Sequence, residues 1–268
     1  MDKTRLDVYL VNNGHFESRE KAQSNILAGN VSINNMVCHK PSAAIGNEDI
    51  IDIRHSEDAY SSRGGNKLEK AFAVFQLDVK GLCCIDVGAS TGGFTDCLLK
   101  NGARKVYAVD VGYGQLDYRL RTDERVVVME RTNARYLRPD MLGEAPSFAT
   151  IDVSFISLEK ILPALSACLT PDSGIVSLVK PQFEAGKAQV GKNGVVRDSA
   201  VHKKILSDVS SYFADHAFGI LDMTFSPLQG PKGNIEFLIH AGRGSECIIL
   251  KDISSKIDET VENAHSNF

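Results

Sequence analysis

The stretch that most constrains this chain runs from Leu82 to Asp96 and reads LCCIDVGASTGGFTD. Its first half, Leu82 to Val87, is a short apolar run closing on an acid, the pattern of a strand buried on both faces of a parallel sheet. Its second half is a glycine turn that leads into a helix. Gly88, Gly92 and Gly93 carry no Cβ, so the backbone there bends sharply and lets a ligand approach closely.

Spacing narrows the ligand. A dinucleotide site wants G-x-G-x-x-G opening the helix, whereas Ala89-Ser90-Thr91 separates Gly88 from Gly92-Gly93, which argues against NAD. The next apolar run, Lys105 to Asp110, again ends in an acid, where a carboxylate is placed to accept both hydroxyls of a ribose. A nucleoside cofactor without phosphates fits, and S-adenosylmethionine is the common one. The alternative is an ordinary strand-to-helix turn whose polar residues only cap the helix.

Length and charge bound the rest. The 268 residues leave room for one large and one small domain, and the formal charge of −4 gives no global field for nucleic acid. RNA binding would therefore rest on local basic patches. The six cysteines form no C-x-x-C pair and read as small apolar residues of a reducing compartment, with no metal site expected. The start, MDKTRLDVYL, lacks the apolar core of a signal peptide, and no run approaches a membrane span. A cytoplasmic protein is expected.

Residues 1–55 read as a small α+β unit. Leu6, Leu10 and Val11 have helical spacing, Ser18 is a good N-cap for a second helix through Ala22, Ile26 and Leu27, and Gly29 ends it. Val31 to Ile33 and Ile50 to Ile53 read as strands, with Asn34-Asn35 a tight turn. The pattern Arg5-Leu6-Asp7, Ser18-Arg19, Ala22, Ile26, Gly29-Asn30-Val31, Lys40-Pro41 and Asp49 resembles the alpha-L RNA-binding motif of a small-subunit ribosomal protein and of pseudouridine synthases. The resemblance implies that Arg5, Arg19, Lys21 and Lys40 face an RNA backbone. Acidic neighbours, including Asp7 and Glu20, leave open a solvated helix face that only packs on the larger domain.

Residues 56–62 read as a linker. Beyond it, Arg63 and Lys67 precede or open a helix expected over Leu68 to Phe75, where a lysine meets an unfavourable dipole. Strands are expected at Arg125 to Met129, Phe148 to Val153, Ile175 to Val179, Ile220 to Phe225 and Asn234 to His240, with helices at Ile156 to Leu169 and Ser199 to Ala214. This is a doubly wound, Rossmann-like α/β sheet over residues 63–245, followed by a helical tail over 246–268. A strand carrying Glu236 and another ending in Lys180 need partners, and they are expected to meet each other. With Lys67 and Asp152 they form a candidate cluster beside the cofactor, the alternative being a structural ion-pair network.

The runs SRGGNKL, DVGASTGGFTD, AVDVGYGQL, ERTNAR, DVSFISL, LVKPQFEAGK and GNIEF are similar to the TlyA family, bacterial proteins labelled hemolysins that resemble FtsJ-type ribose methyltransferases. The resemblance spans nearly the whole chain. It implies an alpha-L RNA-binding domain joined to an S-adenosylmethionine-dependent methyltransferase that modifies cytidine 2′-hydroxyls in ribosomal RNA. It also implies a Lys-Asp-Lys-Glu tetrad, which falls on Lys67, Asp152, Lys180 and Glu236. The cofactor is expected on Asp86, Gly88, Ser90, Gly92, Gly93, Phe94, Thr95, Asp110, Asn133 and Asp152, and RNA on Arg5, Arg19, Lys21, Lys40 and Arg63. Ribosomal RNA or a ribosomal subunit is the expected partner of a monomer without metal. An RNA-binding or cytolytic protein without methyltransferase activity is the alternative. Methylating a hydroxyl needs a base; Lys180 would serve if burial and the Lys67 charge favour its neutral form, though the residues leave open which lysine is neutral.

Overall fold

The computed structural model describes residues 4–16, 18–27, 29–34, 36–46, 49–53, 60–186, 189–191, 193–244 and 249–268. The first part of the expected linker and the start of the expected tail lie outside them.

The small unit comprises β1 (Thr4–Arg5), α1 (Leu6–Asn12), α2 (Arg19–Leu27), β2 (Val31–Ile33), β3 (Met36–Val37), β4 (Ala44–Ile45) and β5 (Ile51–Ile53). Both helices stand where their apolar spacing put them, and Ser18 Oγ accepts a hydrogen bond from Lys21 N–H at 3.2 Å. The two-residue strands β1, β3 and β4 were not expected, being too short for a period-two signal. β2 is the centre of a three-stranded sheet, pairing antiparallel with β3 and β5. Leu6, Leu10, Ala22, Ile26, Val31 and Ile45 make its core.

The large unit begins with α3 (Gly64–Phe75), four residues earlier than expected, so Lys67 lies within its first turn. Then come β6 (Cys83–Val87), α4 (Gly93–Lys100), β7 (Lys105–Val109), α5 (Tyr118–Arg121), β8 (Val126–Met129), β9 (Phe148–Ile151), α6 (Leu162–Cys168), β10 (Ser173–Val179), α7 (Pro181–Glu184), α8 (Ser199–Ala214), β11 (Gly219–Phe225), β12 (Phe237–Arg243) and α9 (Ile253–Asn267). The sheet order is β11-β12-β10-β9-β6-β7-β8. The five strands from β10 to β8 are parallel, while β12 is antiparallel to both its neighbours.

Alternate residues of each strand feed two cores. Cys83, Ile85 and Val87 of β6 pack with α6, α8 and α9, and Cys84 packs with α3 and α4 on the opposite face. The chain leaves β6 for β7 and β8, then returns to β9 on the other side of β6. That reversal opens a crevice at the carboxyl ends of β6 and β9.

Candidate active site

The glycine turn fills this crevice. Gly88 (φ 89°) and Gly92 (φ 97°) take left-handed backbone, and so does Ser90 (φ 49°) between them. A Cβ on Gly88 would strike the carbonyl of Asp152, so β6 and β9 approach this closely only with glycine there. Asp152 N–H donates to Val87 O at 2.9 Å, which fixes Asp152 beside the turn.

Four charged side chains converge at this edge, and all four were expected. Lys67 Nζ lies 2.6 Å from Glu236 Oε2, and Lys180 Nζ lies 2.6 Å from Asp152 Oδ1. Lys180 Nζ also donates to Ser154 Oγ at 2.9 Å. The expected pairing of Lys180 with Glu236 is thus corrected: each lysine takes the other carboxylate. The reason is topological. Glu236 lies one residue before β12, not within it, and β12 runs antiparallel to β10, so its start reaches the edge where α3 presents Lys67. Glu236 offsets the poor dipole position of Lys67. Burial alone would raise the Asp152 carboxyl, but the charges of Lys180 and Lys67 outweigh it and hold Asp152 below its ordinary value. The two ion pairs therefore act on one another. Gly230 closes over the Glu236 carboxylate, where any Cβ would clash.

A pocket of about 160 Å³ sits here, lined by Lys67, Asp152 and residues 88–91 of the turn, with Leu27 and His39 contributed by the small unit. Arg63 joins the two units at its rim: its Nη2 lies 3.2 Å from His39 Nε2, and its guanidinium covers Gly29.

The remaining expected cofactor residues separate into two groups. Asp110, at the end of β7, accepts from Ser90 N–H (2.8 Å) on Oδ2 and from Gly112 N–H (2.6 Å) on Oδ1, and each carboxylate oxygen keeps further accepting capacity. Asn133 caps a short 3₁₀ turn, its Oδ1 accepting from Arg135 N–H at 3.1 Å. Gly93 and Phe94 open α4 against the pocket. Asp86 and Thr95 depart from expectation. Both are fully buried, and Asp86 accepts from Thr95 Oγ1 (2.7 Å) and Thr150 Oγ1 (3.0 Å), so they brace the turn from beneath. Neither side chain lines the pocket: Asp86 sits inside β6, one residue before its end, with its carboxylate turned to Thr95 of α4 and Thr150 of β9.

Burial pushes the Asp86 carboxyl up to about 7 despite the two hydroxyl donors. A carboxyl raised in the folded state favours folding when protonated, so its contribution is full below the unfolded value and declines as pH rises towards 7. Asp86→Asn keeps an acceptor and never ionises. Its melting temperature relative to the native chain should therefore rise between pH 5 and pH 8; a pH-independent difference in thermal scans would refute the assignment.

Of the expected RNA residues, Arg5, Arg19, Lys21 and Lys40 lie on the surface of the small unit, and Arg5 and Arg19 share one carboxylate. Asp7 is fully buried and takes Arg5 (2.9 Å), Arg19 (3.0 Å) and Gln23 (2.7 Å), with Arg5 contributing most to holding its carboxyl well below the usual range. The guanidinium groups stay about half exposed. Lys21 and Lys40 are exposed.

Sequence reasoning missed Phe155. It is 90% exposed, has φ 63°, and leans on Phe183 at 4.9 Å between ring centroids, two residues from Val153 and the tetrad edge. Glu184 holds this loop, accepting from Ser157 Oγ (2.7 Å) and Leu158 N–H (2.9 Å). A large apolar side chain forced outwards by strained backbone is the only signal, and it is not visible in sequence.

Comparison with known proteins gives this geometry its family. Residues 60–243 match the FtsJ-like methyltransferases. The chain belongs to the FtsJ-like methyltransferase family, in its TlyA branch. A Bacillus subtilis protein provisionally named an rRNA methyltransferase, YqxC, is 51% identical over 98% of this chain and 94% of its own. The 16S/23S rRNA (cytidine-2′-O)-methyltransferase TlyA of Mycobacterium tuberculosis is 44% identical over 88% of this chain and 89% of its own. A solved Streptococcus thermophilus structure, provisionally titled a hemolysin, superposes with a TM-score of 0.78 at 48% identity, covering 100% of this chain and 98% of that one. Among the described residues no helix is long and apolar enough to cross a membrane, and no group of three or more His, Cys, Asp or Glu is placed to hold a metal.

Proposed function

We propose that this methyltransferase modifies the 2′-hydroxyl of a cytidine in ribosomal RNA, as the printed name of its Mycobacterium relative says of that protein. The observation that carries the reading is the placement of two lysine–carboxylate pairs against the glycine turn at the sheet reversal. S-adenosylmethionine, when bound, supplies an electrophilic methyl group on a sulfonium sulfur. The turn fits such a group: Gly88 brings backbone without a Cβ to the pocket beside Ala89, Ser90 and Thr91, and Asp110, bonded to Ser90 N–H, keeps accepting capacity for a ribose. Asp110→Ala should weaken cofactor binding by about 1.5–3 kcal/mol, the scale of a hydrogen bond to a charged group. Calorimetry reading an unchanged affinity in folded protein would remove Asp110 from the site.

The chain's own residues then handle the acceptor. Asp152 and Ser154 fix the position of Lys180 Nζ, which in its unprotonated form takes the hydroxyl proton. Lys67, anchored by Glu236, places a second positive charge at the same edge, where it acts on Asp152. Residues 1–55 bind RNA through Arg5, Arg19, Lys21 and Lys40, with Arg63 at the junction, while 63–245 carry out transfer and α9 packs on α8 and β11. One chain supplies the whole tetrad, which supports the reading of a monomer, and a ribosomal RNA substrate supports a cytoplasmic site of action.

Phe155 stands where a nucleotide withdrawn from its stack would meet an aromatic face. The test is transfer of labelled methyl groups to ribosomal subunits from cells lacking the enzyme, with the modified ribose located by nuclease mapping. Label on a cytidine ribose is expected; binding of subunits without label would favour the RNA-binding or lytic alternative. In the same assay Phe155→Ala should lower kcat/KM for RNA by roughly 5- to 100-fold, the scale of one lost base stack, with cofactor affinity unchanged. Wild-type kcat/KM would show that Phe155 meets no nucleotide.

A further inference from the structure

A second and larger cavity, about 720 Å³, lies between α2 of the small unit and residues 114–121 of the large one. Its volume suits a nucleotide-sized ligand. We propose that this cleft is an RNA subsite that holds the single strand flanking the target nucleotide, an inference that rests on the function proposed above.

Continuity is the first argument. Ser62 and Arg63 line both this cleft and the pocket at the tetrad, so a strand leaving the reacting ribose enters the cleft directly. The second is chemistry. Four basic side chains, Lys21, Arg63, Arg119 and Arg121, line the cleft against two acids, Glu20 and Asp117, in a chain whose overall charge is negative. The amides of Asn25 and Gln115 add donors and acceptors. Arg119 pairs with Asp117 at 3.1 Å, yet its side chain is 73% exposed, and an ion pair in that setting yields readily to a phosphate. The third is shape. Tyr118 lines the cleft with 72% of its surface exposed, which leaves a ring face for a base to stack on. Cations beside an exposed aromatic ring are the combination that single-stranded RNA uses.

The cleft also bears on the cofactor turn. Asp117 N–H donates to Thr91 O at 3.2 Å, and Leu116 and Leu120 close over Gly92. A strand seated against 114–121 thus rests on the far side of the turn that the methyl donor uses.

The test uses full-length protein, ribosomal subunits lacking the modification, and a fluorescein-labelled oligoribonucleotide spanning the target. Tyr118→Ala and Arg119→Gln alter exposed side chains and should leave the fold intact. Each should raise KM for RNA at least about fivefold, with kcat and cofactor affinity within about twofold, and Tyr118→Phe should restore KM because the stacking face returns. Arg119→Gln should reduce the salt slope of oligonucleotide binding by about one, and Tyr118→Ala should not. A 4-thiouridine beside the target should photocrosslink to the peptide containing residues 114–121. Unchanged KM and salt slope in both variants, or crosslinks confined to other peptides, would overturn the proposal. The two readings separate cleanly: absence of transfer by the native chain removes the proposed function, whereas an active native chain with indifferent variants removes the cleft alone.

Discussion

Lys180→Met is expected to lower the rate of methyl transfer by roughly 10²-fold or more, the scale of losing a positioned base. Methionine keeps most of the stem volume but leaves Asp152 with only the more distant Lys67 charge, so some loss of Tm is expected and rates are compared in folded, cofactor-saturated protein. The rate should not recover at high pH, because no titrating nitrogen remains at that strand end. Lys180→Arg separates two roles. Arginine supplies a cation but holds its proton at every accessible pH, so a base is lost while a fixed charge is kept. Single-turnover rates for both variants decide it: near-native transfer by Lys180→Arg would show that Lys180 acts as a charge and that the proton leaves by another route.

Lys67→Met is expected to act on stability as strongly as on rate. Glu236 is fully buried and its ion-pair partner is Lys67 at 2.6 Å, so the substitution strands a carboxylate with Gly230 packed against it. Breaking such a pair from one side costs about 3–5 kcal/mol, or on the order of 10 °C in Tm for a domain of this size. Adding Glu236→Gln removes the stranded charge. The double variant should regain much of the lost Tm and none of the lost rate, because the Lys67 charge beside Asp152 is still missing. Thermal scans beside transfer assays test this. A single variant that melts with the native chain would mean that the pair contributes no stability.

The sheet and the members of the tetrad were legible because both are written locally. Apolar runs of four to seven residues ending in Asp86, Asp110, Asp152 and Lys180 mark strands and their ligand-facing ends, and the motif resemblance added Lys67 and Glu236. The pairing within the tetrad was not legible. Lys67 and Glu236 are brought together by the antiparallel insertion of β12 beside β10, a property of strand order that no local pattern encodes. Asp86 misled for a related reason: an acid closing a strand reads the same whether it faces a ligand or two threonines from neighbouring elements. Phe155 was missed because its outward position is set by φ 63° and by Glu184, 29 residues further along the chain.

The buried Asp7 has a consequence for how RNA is met. By tying Arg5 and Arg19 to one carboxylate, it removes most of the freedom that two long side chains would otherwise lose on contact, a loss of up to about 1.5–2 kcal/mol each. It also cancels part of their charge, so the small unit pulls weakly on distant phosphates. On the proposed reading, this surface gives up speed of encounter for rigidity at contact: two guanidinium groups held at fixed spacing reward a folded RNA whose phosphates match that spacing, and gain little from a flexible strand that must be ordered first.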